Sequence, residues 1–253
     1  MLNCIIHGEA RQDVVPLLVV HGLFGSARNW GVIAKRLSDQ RQVIAVDMRN
    51  HGDSDWKDGH SYFDLADDLA EVINAHGTKM DVLGHSMGGK ASMVLATAHP
   101  ELLRKLIVAD IAPVTYSHTQ MPIIDAMRSV DLDRIKTRGD ADSQLQNIIP
   151  ERAVRAFILQ NLDPKSKSWR LNLDVLARDM PRIIGFPDID GVFDGPTLFL
   201  SGGASDYVQR EHRSKITKLF PQAKFVKIPG AGHWLHAEKP REFEATARVF
   251  LSS

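Results

Sequence analysis

Residues 80–90 read Met80-Asp81-Val82-Leu83-Gly84-His85-Ser86-Met87-Gly88-Gly89-Lys90. A short apolar run ends at Leu83, Gly84–Gly88 spells G-x-S-x-G, and an apolar helical pattern (Met93, Val94, Leu95, Ala96) runs from Met87 to about His99. This pattern puts Ser86 on a sharp strand-to-helix turn at the edge of a sheet. Such a turn forces the serine into a strained conformation, at roughly 1–3 kcal/mol. Glycines on either side let neighbouring backbone pass without a Cβ clash. The new helix starts there with free N–H groups that favour negative charge. A turn that merely needs small residues fits the same letters, so the rest of the chain must decide.

Outward from this stretch the strand-then-helix pattern recurs. Leu2–Ile6 reads as a first strand. Pro16–Val20 is a continuous apolar run, as for a strand covered on both faces. It leads into His21-Gly22-Leu23-Phe24-Gly25. A glycine-flanked loop there can aim backbone N–H groups at an anion, and a plain turn has the same composition. Ser26–Leu37 has helical spacing, with Trp30, Ile33, Ala34 and Leu37 on one face. Val43–Val46 is another buried strand. The loop after it, Asp47–Ser54, holds acidic and histidine residues, but their spacing matches no metal-ligand scheme and a hydrogen-bonded turn explains them better. Ser61–His76 reads as a helix with Phe63, Leu65, Leu69, Val72 and Ile73 as its buried stripe. Leu103–Ala109 is a strand ending at Asp110. The alternation predicts an α/β fold with a mostly parallel, doubly wound sheet. Ligands of such sheets sit beyond the C-terminal strand ends, where Gly22–Gly25, Ser86 and Asp110 all fall.

Ile111–Asp190 breaks the alternation, with helices expected over Pro122–Val130, Glu151–Leu162 and Asn172–Ile184. Residues 1–111 and 191–253 are therefore expected to form the α/β core, and residues 112–190 a helical cap inserted after the strand ending at Asp110. The larger apolar residues of this segment include Met121, Ile124, Leu173 and Ile184, and most must build its own core. A few face Ser86 if the segment covers it. Met127, Phe157, Trp169 and Phe186, with Phe24 and Trp234, are the expected lining of an apolar pocket for an acyl or alkyl group. The sheet resumes at Pro196–Leu200 and turns through Ser201–Asp206. Val208–Phe220 reads as a helix and Lys224–Ile228 as the last strand. The loop Gly230-Ala231-Gly232-His233 and an amphipathic helix over Pro240–Leu251 close the chain.

With 253 residues the chain has room for a large α/β core. Lys+Arg and Asp+Glu are both 31, so nothing pulls toward nucleic acid or an anionic membrane. The lone cysteine, Cys4, has no internal disulfide partner, which points to an intracellular, cytoplasmic chain. No apolar run approaches the roughly 18 residues of a membrane span. Glu9, Arg11 and Asp13 argue against a secretory signal.

A serine hydroxyl is a weak nucleophile at neutral pH. It needs a base within hydrogen-bond reach, and the base needs a third group to fix its tautomer. Of the 11 histidines, His233 sits at a strand end after small residues, and His236 is the weaker rival three positions on. The chain order Ser, then Asp or Glu, then His is met by Ser86, either Asp110 or Asp206, and His233.

Over nearly its whole length the chain resembles the α/β-hydrolase superfamily. The likeness rests on H-G-L-F-G at 21–25, D-M-R-N-H-G-D-S at 47–54, G-H-S-M-G-G-K at 84–90 and G-A-G-H-W-L-H-A-E-K-P at 230–240. V-A-D-I-A-P-V at 108–114, L-N-L-D-V-L at 171–176 and Asn50 make it most similar to the YbfF-type esterases and the related mitochondrial abhydrolase group. The resemblance implies a serine esterase or thioesterase acting on small-molecule esters or acyl thioesters, with no metal or organic cofactor. Ser86 would be the nucleophile, His233 the general base and then acid, and the backbone N–H groups of Leu23 and Met87 the oxyanion hole. Asp206 stands where the wider superfamily usually keeps its acid, and Asp110 where the YbfF-like group does. Asp110 is the preferred acid.

Ester or thioester hydrolysis leads. Cofactor-free haloperoxidase or C–C bond hydrolysis would use the same triad, and a non-catalytic ligand receptor could retain it. The dehalogenases and epoxide hydrolases of this superfamily use an aspartate nucleophile, against which Ser86 argues.

Overall fold

The structure, a computed structural model, describes residues 1–253. Its strands are β1 (Cys4–His7), β2 (Leu17–Val20), β3 (Val43–Val46), β4 (Met80–His85), β5 (Leu103–Ala109), β6 (Leu162–Asp163), β7 (Ser168–Trp169), β8 (Thr197–Gly202) and β9 (Ala223–Ile228). β6 and β7 form a separate antiparallel ribbon, and the other seven make one sheet in the order β1-β3-β2-β4-β5-β8-β9. β1 runs antiparallel to β3, and every other neighbouring pair is parallel. The expected α/β architecture with a mostly parallel sheet is therefore present.

The period of two along each strand explains the layers. Leu18, Val20, Ile44, Val46, Val82 and Val108 point into one apolar cluster. Leu17, Val19, Val43, Ala45, Leu83 and Ile107 point into the other. Helices α1 (Gly31–Leu37), α2 (Tyr62–His76) and α3 (Met87–Ala98) follow β2, β3 and β4. α2 and α3 cover the first face through Leu65, Leu69 and Val94. α1 covers the second through Ile33 and Leu37. α2 starts where Ser61 and Asp64 close a capping box and stops where Gly77 takes a left-handed φ of 68°.

Between β5 and β8 the chain leaves the sheet. It builds α4 (Met121–Arg128), α5 (Arg138–Leu145), α6 (Arg152–Ile158), the β6–β7 ribbon, α7 (Leu173–Arg178) and α8 (Met180–Ile184). α5 has no expectation in the sequence because R-G-D-A-D-S-Q-L carries little apolar periodicity. It is nucleated by a capping box of Thr137 and Asp140. The continuous helix expected over Asn172–Ile184 is two helices, and Pro181, which has no N–H to continue the ladder, lies in the first turn of the second. Likewise Ser26–Leu37 begins as a tight turn, Ala27–Trp30, before α1. α9 (Arg213–Leu219), the short α10 (Leu235–Glu238) and α11 (Pro240–Ser252) complete the chain. α11 packs Phe243 and Ala247 on the α1 side of the sheet. No helix is long and apolar enough to cross a membrane.

Candidate active site

Ser86 joins β4 to α3 with φ 52° and ψ −120°. Its N–H donates to the Ala109 carbonyl and its own carbonyl accepts from Lys90 N–H, each at 3.0 Å. The flanking glycines are required by space. A Cβ on Gly84 would stand 2.4 Å from the Gly88 carbonyl oxygen, and one on Gly88 would stand 2.4 Å from the His21 carbonyl oxygen. The loop 21–25 thus lies directly against the turn.

His233 comes from the loop after β9. Its Nε2 lies 3.1 Å from Ser86 Oγ, and its Nδ1 lies 2.8 Å from Asp110 Oδ2. A carboxylate only accepts, so Nδ1 carries the proton and Nε2 accepts from the serine hydroxyl. Asp110 is fully buried at the end of β5, with φ 52°. Gly202 N–H donates to its Oδ1 at 2.9 Å, and Ser205 Oγ donates to its Oδ2 at 2.5 Å. Asp206 is exposed and does not reach His233. Its carbonyl oxygen accepts from Gln209 Nε2 at 3.0 Å. The structure therefore brings together Ser86, His233 and Asp110 and leaves Asp206 at the surface.

His236 lies flat on Trp30, with ring centroids 4.1 Å apart, and does not hydrogen-bond Ser86. Burial pushes its pKa down to about 3. His85, whose Nε2 meets the His233 carbonyl oxygen at 2.9 Å, is pushed well below the usual imidazole range, first by burial and then by His233 and His236. Both rings stay neutral and add no charge beside His233.

Met87 is the first residue of α3, where a backbone N–H has no acceptor within the helix. Leu23 lies in the loop pressed on Ser86, where a Cβ at Gly22 would come 3.1 Å from Ser86 Cβ. Both residues line a cavity of about 330 Å³ that also reaches Ser86 and His233.

Of the expected pocket residues, Phe24, Phe157 and Trp234 line this cavity, the last two with ring centroids 5.3 Å apart. Met127, Trp169 and Phe186 do not line it, which corrects the expectation. Met127 is fully buried in the core between elements. Trp169 is held in the ribbon opposite Leu162. Phe186 packs beside Tyr62 and under Lys215. Apolar character marked these side chains as buried, and only the packing of α4–α8 decides which of them turn toward Ser86. Ile123, Val154, Ile158, Ile183 and Ile184 supply much of the remaining apolar lining.

Three contributors were not read from the sequence. Ser205 stands one position before the candidate Asp206, and the Ala109–Leu200 pairing of β5 with β8 brings its turn beside Asp110. Tyr207 stacks on the His233 ring at 3.9 Å. Lys90, one turn along α3 from Ser86, is buried and lines the cavity. Its Nζ donates to the carbonyls of Ile184 at 2.9 Å and Gly185 at 2.5 Å, at the end of α8. Burial, then Lys215, pushes its pKa down to about 7. No group of His, Cys, Asp and Glu is placed to hold a metal ion.

Residues 17–246 match the alpha/beta hydrolase family. The sn-1-specific diacylglycerol lipase ABHD11 of Danio rerio is 39% identical over 96% of this chain and 80% of the relative. Esterase YbfF of Escherichia coli strain K12 is 39% identical over 94% of this chain and 93% of the relative. A solved marine microorganism esterase superposes with a TM-score of 0.93 at 40% identity, covering 98% of each chain. On sequence and on three-dimensional structure alike, the chain belongs to the alpha/beta hydrolase family.

Proposed function

We propose that this protein is a serine hydrolase that cleaves carboxylic esters or acyl thioesters through an acyl-enzyme on Ser86. The observation that carries the reading is the unbroken relay Ser86 Oγ–His233 Nε2 and His233 Nδ1–Asp110, opening into a largely apolar cavity. The relatives named as esterases and as a diacylglycerol lipase support ester substrates.

In this reading His233 Nε2 takes the Ser86 proton as Oγ attacks the carbonyl carbon. The negative charge on the carbonyl oxygen falls between the N–H groups of Leu23 and Met87. Donors of this kind are worth roughly 3–4 kcal/mol each. His233 then protonates the leaving alcohol or thiol, and water repeats the sequence to free the acid. Asp110, held by Gly202 and Ser205, fixes the imidazole tautomer throughout. Residues 112–190 act as the cap, with Ile123, Phe157, Ile183 and Ile184 forming an apolar wall for an acyl or alkyl chain. Cys4, the lone cysteine, is partly buried and free, which agrees with a reducing compartment such as the cytoplasm.

The test is labelling by a fluorophosphonate probe. Strong labelling that vanishes in Ser86→Ala is expected, and absence of labelling in well-folded protein overturns the reading. A panel of short to long acyl esters and acyl thioesters then separates esterase from thioesterase.

A further inference from the structure

Stabilising an oxyanion at Leu23 places a demand on one peptide group. The Leu23 N–H belongs to the Gly22–Leu23 peptide, and in a trans peptide N–H and C=O point in opposite directions. Whatever holds the Gly22 carbonyl therefore aims the Leu23 N–H. That carbonyl accepts from Gly25 N–H at 2.9 Å and meets His21 Nδ1 at 2.8 Å. His21 Nε2 takes the Met48 N–H at 2.9 Å, so its proton is on Nδ1 and Nδ1 donates.

The next peptide is held as closely. Phe24 N–H donates to His51 Nε2 at 3.2 Å, which leaves the His51 proton on Nδ1, facing the Arg49 carbonyl at 3.0 Å. Both imidazoles are buried, and burial lowers both pKa values, so the acceptor nitrogens stay unprotonated. Phe24 itself has φ 60°. A bulky side chain in this region is strained, and surrounding contacts must hold it there.

The remaining hold comes from far along the chain. Asn161 Nδ2 donates to the Phe24 carbonyl at 2.8 Å and to the Ile158 carbonyl at 3.2 Å. Asn161 is 4% exposed, directly precedes β6 and is absent from the cavity wall. Its own carbonyl accepts Arg170 N–H at 2.8 Å, which ties it across the ribbon. Two residues further on, Asn172 donates its N–H to the Asn50 carbonyl and its Nδ2 to Asn50 Oδ1. Leu171 bridges to His51 itself. The inserted segment thus holds the Phe24 carbonyl directly and braces the loop whose histidine holds the Phe24 N–H.

We propose that Asn161 is a positioning residue for the oxyanion site: it reaches from the inserted segment to fix the Phe24–Gly25 peptide, whose Gly25 N–H holds the Gly22 carbonyl, and so sets the direction of the Leu23 N–H. The proposal rests on the serine hydrolase reading and deepens it. It makes the inserted segment part of the catalytic geometry as well as a pocket wall.

Wild type, Asn161→Ala and Asn161→Asp are compared by circular dichroism, by fluorophosphonate labelling, by kcat and KM on p-nitrophenyl acetate and butyrate, and by the Ki of an alkyl trifluoromethyl ketone. The ketone adds Ser86 Oγ at its carbonyl carbon, and the resulting hemiketal oxyanion occupies the hole. Both variants are expected to lose about 10- to 100-fold in kcat with little change in KM. The ketone should weaken by the same factor. Wild-type kcat in a folded variant overturns the proposal. So does a loss carried by KM, or a kcat loss that spares ketone binding. Asn161→Asp keeps the shape but sets a carboxylate oxygen, which can only accept, against the Phe24 and Ile158 carbonyls, so it breaks the same contact and carries the test if the alanine variant unfolds. An unlabelled wild type defeats the hydrolase reading and this proposal with it, whereas unchanged variants of a labelled wild type defeat this proposal alone.

Discussion

Ser205 Oγ donates to Asp110 Oδ2 at 2.5 Å, on the same oxygen that faces His233 Nδ1 at 2.8 Å. Two donors on one oxygen, with Gly202 N–H on the other, leave the carboxylate no freedom to rotate away from the imidazole. A hydrogen bond to a charged group contributes about 1.5–3 kcal/mol. Ser205→Ala should therefore lower kcat by about tenfold or somewhat more, with KM little changed. Steady-state kinetics on a p-nitrophenyl ester checks this, and unchanged kcat would show that Gly202 and the fold position Asp110 alone.

Asp110→Asn and Asp206→Asn should behave differently. The first keeps the side-chain shape but turns the imidazole to the wrong tautomer, which costs about 10,000-fold in turnover. The second alters an exposed side chain that does not touch His233, and turnover should stay near normal. Parallel kcat measurements decide, and the reverse ranking would move the acid to Asp206.

Asp81, fully buried in β4, receives Arg41 Nη1 at 2.7 Å and Arg104 Nε at 2.8 Å. Arg41 is itself buried, with its side chain 9% exposed. Asp81→Asn leaves a buried guanidinium without its counter-charge, which costs about 3–5 kcal/mol. Urea denaturation followed by circular dichroism should give that loss with an unchanged slope. A loss under about 1 kcal/mol, of the order of a surface pair, would mean that Arg41 finds water instead.

Acid should destabilise the protein in a defined window. Burial lowers the His60 pKa to about 4 and the His236 pKa to about 3. In the unfolded chain both rings titrate near 6.5, so below that pH the unfolded state binds more protons and gains ground. Stability is full above about pH 6.5 and falls as the pH drops toward 4 for His60 and 3 for His236. One such imidazole accounts for about 3 kcal/mol. Melting temperature followed from pH 8 to 4 should fall from about pH 6.5 downward, and His60→Asn should make that fall shallower by one ring's share. A profile that stays level to pH 4.5 would contradict the burial of these rings as neutral groups.

Much of the fold was legible because its signals are local. The buried runs 17–20, 43–46 and 103–109 carry their own β-strand pattern, and G-H-S-M-G imposes the turn at Ser86 through the space its glycines leave. The sequence alone therefore determined the parallel α/β layout and marked Ser86 and His233 as candidate nucleophile and base. Tertiary structure decided what depends on distance between strand ends. His233 meets Asp110 and not Asp206 because the pairing of β5 with β8 sets Asp110 beneath Gly202 and Ser205, while the turn carries Asp206 outward. Met127, Trp169 and Phe186 are as apolar as Phe157, but they face other apolar surfaces once α4–α8 and the ribbon pack. The Asn161 contact to Phe24 spans 137 positions. No periodicity or motif in a one-dimensional chain encodes a hydrogen bond between residues so far apart, and only the packed inserted segment brings them together.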